Sequence, residues 1–159
     1  MKDVLRIEDL TKKFKKKNFF SSDSDEVIAA DSVNFSLEQG KILAIAGQSG
    51  SGKTTIAKLI LRAIKPDSGK IFHNQKEIMD NSDELKKFRM KCQMIYQDPY
   101  DSINPRMTIS DIVSEPLEIH NIGTKKEREQ RVIETLEKVK LEPAEEISKK
   151  YPHMLSGGQ

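Results

Sequence analysis

Residues 47–54 read Gly47-Gln48-Ser49-Gly50-Ser51-Gly52-Lys53-Thr54. They follow the pattern G-x-x-x-x-G-K-[ST], the spacing of a loop that wraps the phosphates of a nucleotide. Its glycines let the backbone curl round an anion with no side chain in the way. Successive N–H groups then converge on the phosphates, and the helix that follows adds the positive end of its dipole. On this reading Lys53 reaches the β- and γ-phosphates and the Thr54 hydroxyl ligates Mg²⁺. Thr55, on the next N–H, touches the α-phosphate. The loop alone does not separate kinases, GTPases and motor ATPases, which share it.

Such a loop works only between a strand and a helix, and the flanks predict both. Ile42-Leu43-Ala44-Ile45-Ala46 is apolar without alternation, as in a strand covered on both faces. After the loop, Thr55–Ile64 has apolar residues at 56, 59, 60, 61 and 64, a helical spacing. Pro66-Asp67-Ser68-Gly69 ends that helix in a turn. Upstream, Val4–Leu10 alternates loosely as a first strand. The basic run Lys12–Lys17 surrounds Phe14, and residues 21–26 have the polar, acidic composition of a surface loop. Val27–Leu37 alternates through Val33, Phe35 and Leu37 as a half-buried strand. Downstream, Lys70–Phe72 reads as a short strand, Asp83–Lys91 as a helix and Gln93–Gln97 as a second covered strand. Pro99 to Pro105 reads as loop. Ser110 or Asp111 caps a helix that meets Pro116, and Lys125–Lys140 is a long charged helix with a stripe of Val132, Ile133, Leu136 and Val139.

The 159 residues suffice for one domain with a sizeable core. A net charge of +2 gives no general pull toward nucleic acid or an anionic membrane. The single cysteine, Cys92, excludes an internal disulfide and fits a reducing compartment. The N-terminus has no apolar signal core. The apolar stretches are far short of the ~20 residues that span a bilayer.

Downstream of the phosphate loop, Leu155-Ser156-Gly157-Gly158-Gln159 resembles the signature of the ATP-binding-cassette (ABC) transporter ATPases. The chain resembles that family from end to end. Tyr96-Gln97-Asp98-Pro99, Ser102-Ile103-Asn104-Pro105-Arg106-Met107-Thr108-Ile109 and Tyr151-Pro152-His153 look like the oligopeptide, dipeptide and nickel importer ATPases. Ile103 stands where leucine is usual, and Met154-Leu155 replace a commoner acidic–aromatic pair. The resemblance implies an α/β fold built on a P-loop NTPase core. Residues 1–97 hold that core and an N-terminal antiparallel β region. Residues 98–159 hold a helical subdomain ending in the signature, truncated before the Walker B segment.

The resemblance also implies roles. ATP and Mg²⁺ are the expected cofactors, with Thr54 and Gln97 at the metal. The Gln97 amide contacts the Mg²⁺ site and links it to the membrane partner. Phe14 matches the aromatic whose ring stacks on adenine, with Phe19 and Phe20 as competitors; the lysines around Phe14 read as a solvated face. The signature, Leu155 to Gln159, meets the γ-phosphate held by the other P-loop of a head-to-tail pair, so each ATP is shared. The implied partners are integral membrane permease subunits, a second ATPase subunit in a homo- or heterodimer and, indirectly, an external solute-binding protein, with no nucleic acid. The implied location is cytoplasmic, peripheral on the inner face of the cell membrane.

No apolar run ending in Asp-Glu follows the signature within these residues, and His73, His120 and His153 all precede it. No catalytic residue is therefore identifiable, and the chain alone is expected to bind nucleotide poorly and to hydrolyse it barely, if at all. It is also expected to be marginally stable and prone to associate, because part of a parallel sheet lacks neighbours. Two other readings stand beside the importer. One is an ATPase-like subunit of a phosphonate-processing complex, the other an inactive truncated interaction protein.

Overall fold

A computed structural model describes residues 2–16, 25–80, 82–98 and 102–158. Phe19, Phe20, most of the acidic loop, Pro99 and Gln159 lie outside the described residues. The chain divides into two compact units, Met1–Met94 and Ile95–Gln159.

The first unit is built on a four-stranded antiparallel sheet in the order β2-β1-β3-β4. The strands are β1 (Asp3–Lys16), β2 (Asp25–Glu38), β3 (Ser68–His73) and β4 (Lys76–Glu77). Two helices accompany them, α1 (Lys53–Ile60) and α2 (Ser82–Lys91). Ile7, Leu10, Ala30 and Ile71 of the sheet form one core with Ile56 and Leu59 of α1 and Phe88 of α2. The basic run does not end β1: the strand continues through it to Lys16, because β2 pairs with it all the way, Phe14 opposite Val27. His73 meets Phe88 edge-on at 5.3 Å between ring centres. Burial, with Lys91 nearby, holds its imidazole below the usual histidine range.

β1 carries β2 on one edge and β3 on the other, and its register slips in both ladders around Asp9. Asp9 has a φ of 47°. Its irregularity is stapled by Asn34, whose Oδ1 accepts from the Asp9 N–H and whose Nδ2 donates to the Asp9 carboxylate, both at 2.9 Å. Gly69 faces this bulge with a φ of 92°. A Cβ at Gly69 would lie 2.4 Å from the Asp9 carbonyl oxygen, so backbone would have to move to admit any other residue.

Two expected strands are absent. Neither Ile42–Ala46 nor Gln93–Gln97 is a strand, and Ile42 and Ile95 are each 97% exposed. An apolar run becomes a covered strand only when neighbours take up its N–H and C=O groups and both faces are packed. Among the described residues the strands pair only with one another, so these runs stay unpaired and largely exposed.

The second unit is helical: α3 (Ile109–Ile119), α4 (Lys125–Lys138), α5 (Ala144–Ser148) and a 3₁₀ turn at Pro152–Met154. Ile109, Val132, Leu136, Ala144 and Ile147 form its core. The caps differ from the expected ones. Thr108, not Ser110 or Asp111, caps α3; Asp111 returns the bond from the third helical position, closing a capping box. Thr124 and Glu127 do the same for α4. Pro116 lies inside α3 and does not end it.

Replacing Gly69 by Ala is expected to cost about 2–4 kcal/mol, from strain and displaced backbone. Urea unfolding against the unsubstituted protein measures it. The boxes predict a pH dependence. Hydrogen bonds from Thr108 hold the Asp111 carboxyl below its ordinary value, and those from Thr124 do the same for Glu127. Depressed carboxylates contribute stability that is complete above their unfolded values, at about pH 4–4.5, and lost as pH falls through the lowered ones. Helicity followed by circular dichroism from pH 6 to pH 2 should fall in that window. The drop should be smaller in a Thr108→Ala/Thr124→Ala variant.

Candidate nucleotide-binding site

The phosphate loop of the first unit runs from Gly47 to α1 and is exposed over most of its length. Gly52 is the residue before the helix, with a φ of 89°. A Cβ there would stand 2.0 Å from the Ala29 carbonyl oxygen of β2, so the loop lies directly against the sheet backbone. Ile56 and Leu59 anchor α1 in the core and thereby fix the direction of its N-terminus.

That N-terminus differs from those of α3 and α4. It has no side-chain cap and no acid in its first turn. Its leading N–H groups have no carboxylate of their own to serve and remain free for an anion. Lys53 folds back into the loop: its Nζ donates to the carbonyls of Gly47 at 2.8 Å and Gln48 at 2.7 Å, with the Ser51 hydroxyl at 3.4 Å. Neutral carbonyls are weaker partners for an ammonium than phosphate oxygens. The glycine loop, the open helix end and the lysine are the parts of a phosphate site, but the strand that should lead into the loop is not formed. Thr54 is exposed at the helix start and Thr55 is half-buried behind it. Among the described residues no group of three or more His, Cys, Asp or Glu forms a metal cage. A cation here would lean on the Thr54 hydroxyl and on the phosphates themselves.

Phe14 lies on the same sheet as the loop. It pairs with Val27, and Lys12 pairs with Ala30, next to the Ala29 carbonyl that meets Gly52. Phe14 is 41% exposed, so part of its ring is open. Lys12 Nζ sits 5.6 Å from the ring centre. The unexpected member of this corner is Asp67. Its carboxylate accepts from Lys12 Nζ at 2.9 Å and from the Lys13 N–H at 2.7 Å, and its own N–H donates to the Thr11 carbonyl at 2.9 Å. The sequence offers Asp67 only as part of a helix-ending turn, and nothing in it signals a contact more than 50 residues upstream.

The second unit carries Gln97 and the signature. Gln97 stands in an exposed bend. Leu155 packs against the unit's core, while Ser156, Gly157 and Gly158 form an exposed turn beyond it. The P-loop and Phe14 are thus gathered in the first unit, and Gln97 and the signature in the second.

The ABC transporter family model matches residues 30–159. The oligopeptide transport ATP-binding protein AppF of Bacillus subtilis is 39% identical over 159 residues, covering 98% of this chain and 48% of that protein. The dipeptide transport ATP-binding protein DppF of Haemophilus influenzae is 41% identical over 145 residues, covering 91% of this chain and 43% of that protein. Among solved structures, the dimeric ATP-binding cassette MJ0796, in a post-hydrolysis state with ADP and Pi, superposes with a TM-score of 0.77. It is 28% identical, over 98% of this chain and 64% of that one. The chain belongs to the ABC transporter family and has the α/β fold of its cassettes. It spans about half the length of the curated relatives it matches.

Gly52→Ala drives a methyl group into the Ala29 carbonyl and should displace the loop from β2. Titration with ATP is expected to show affinity lowered by about tenfold or more, the loss of one to several phosphate-directed N–H bonds. A melting curve of the same variant should show a lower midpoint.

Proposed function

We propose that this chain is the ATP-binding part of an importer ATPase for peptides, which couples ATP binding and hydrolysis to transport through a separate membrane permease. The observation that carries the reading is the phosphate loop, with its uncapped helix end, its Gly52 pressed on β2 and Lys53 poised inside it. Its relatives named for oligopeptide and dipeptide transport support peptides over nickel as the cargo class.

In this reading Gly47, Gln48, Ser49, Gly50, Ser51 and Gly52 supply the curl and N–H groups around the phosphates. Lys53 exchanges its loop carbonyls for the β- and γ-oxygens, and Thr55 stands at the α-phosphate. Thr54 would hold Mg²⁺, which when bound would neutralise charge on the phosphates; the role that the family resemblance gives Gln97 is proposed for the second unit by itself. Phe14 offers its open face to the adenine. Leu155 holds the signature turn on its helical unit, so that Ser156, Gly157 and Gly158, with Gln159, present N–H groups to the γ-phosphate of a second ATPase subunit. The dimeric state of the MJ0796 cassette supports such a pairing. The first unit, Met1–Met94, acts as the nucleotide core and the second, Ile95–Gln159, as the helical subdomain, a boundary three residues before the expected one at residue 97. The proposed location is the cytoplasmic face of the cell membrane. No helix among the described residues is long and apolar enough to cross it.

Lys53→Ala tests the reading. Loss of charge-assisted bonds to phosphate is expected to weaken ATP binding by about tenfold or more in a fluorescence or calorimetric titration, with the fold intact by circular dichroism. Unchanged ATP affinity would overturn the assignment of the loop.

A further inference from the structure

We propose that Asp67 is a positioning residue for the nucleotide base, clamping β1 where it leads to Phe14 and so fixing where the ring stands. The inference rests on the reading of Phe14 as the base platform.

The β1 ladder with β3 ends at Thr11 opposite Ser68. Beyond that point the strand retains β2 alone, and its register with β2 slips between Leu10 and Lys12 and again between Lys12 and Lys13. A strand with one neighbour and two slips is free to twist about its own axis, and Phe14 is the next residue along. Asp67, immediately before β3, takes over where the ladder stops. Its N–H reaches the Thr11 carbonyl, one carboxylate oxygen takes the Lys13 N–H and the other takes Lys12 Nζ. Three bonds therefore tie three consecutive residues of β1 to the start of β3.

The third bond also controls the ring. Lys12 and Phe14 are two apart on a strand and share a face. With its side chain only 17% exposed, the Lys12 ammonium is held by Asp67 within cation–π reach of Phe14. One part of the ring is thus occupied by a fixed cation, and the open part is left for a base. The Lys13 side chain turns elsewhere, to Glu26 at 3.7 Å. The backbone bond from Lys13 and the ion pair with Lys12 keep the Asp67 carboxyl below its ordinary range, so the clamp is charged at neutral pH.

The test compares ATP with inorganic tripolyphosphate, which shares the phosphates and lacks the base. Calorimetric titration of the protein with each ligand, in the presence of Mg²⁺, gives a ratio of affinities due to the nucleoside. Phe14→Ala should collapse that ratio. Asp67→Ala should lower it by about threefold to tenfold, part of a stacking contribution, and leave tripolyphosphate affinity within about twofold. In the Phe14→Ala background, Asp67→Ala should remove nothing further, because both act on one contact. Asp67→Asn keeps an acceptor for the Lys13 N–H and should fall between; it carries the same comparison if Asp67→Ala does not fold. A ratio unchanged in Asp67→Ala, a parallel loss for both ligands, or an equal loss in the Phe14→Ala background overturns the positioning role. A ratio unchanged in Phe14→Ala instead overturns the platform reading, and this inference with it.

Discussion

The first unit depends on β1 having its backbone groups met from both edges. A central strand has no spare N–H or C=O, and each slip in its ladders must be made good by something else. At Asp9 the side chain of Asn34 does this on the β2 side, and Gly69 makes room on the β3 side. At Thr11 to Lys13 the turn before β3 does it through Asp67. β1 is thus bent twice and held at each bend. The same strand bears Phe14, and its partner β2 bears the carbonyl against which the phosphate loop is seated. In the proposed reading, the base and phosphate subsites therefore share one pair of strands.

The loop and the helical unit solve the same electrostatic problem in opposite ways. Every helix begins with N–H groups that lack an internal partner. α3 and α4 meet that need with Thr–Asp and Thr–Glu boxes, which seal their ends and favour a fixed fold. α1 begins at a glycine with no acceptor and no acid. Its end is left for a ligand, and Lys53 meanwhile spends its charge on the loop's own carbonyls. An anion that enters gains both the helix end and the lysine, at the cost of bonds to neutral oxygens.

The unpaired runs at Ile42–Ala46 and Gln93–Gln97 show where local pattern falls short. Their composition suits a covered parallel strand, yet a strand is a relation between segments. The apolar pattern records which residues tolerate burial; it does not supply the neighbour. Helix starts show a milder form of the same gap. Thr108 and Thr124 were each legible as cap residues followed three positions on by an acid, and the box at Thr108 was obscured by Ser110 and Asp111, equally good caps by type.

By itself the sequence marked the loop, since its glycines, lysine and threonine stand at a fixed, recognisable spacing. It also marked helices at α1, α2, α3 and α4, although the helix expected to reach Ile64 ends at Ile60, and it marked the alternation of β2. Only the tertiary structure decided that the basic run belongs to β1, that Gly52 rests on Ala29 and that Asp67 holds Lys12 and Lys13. Those facts join residues tens of positions apart. Their cause is which strands, loops and side chains meet in the folded chain, and that leaves no local trace in the sequence.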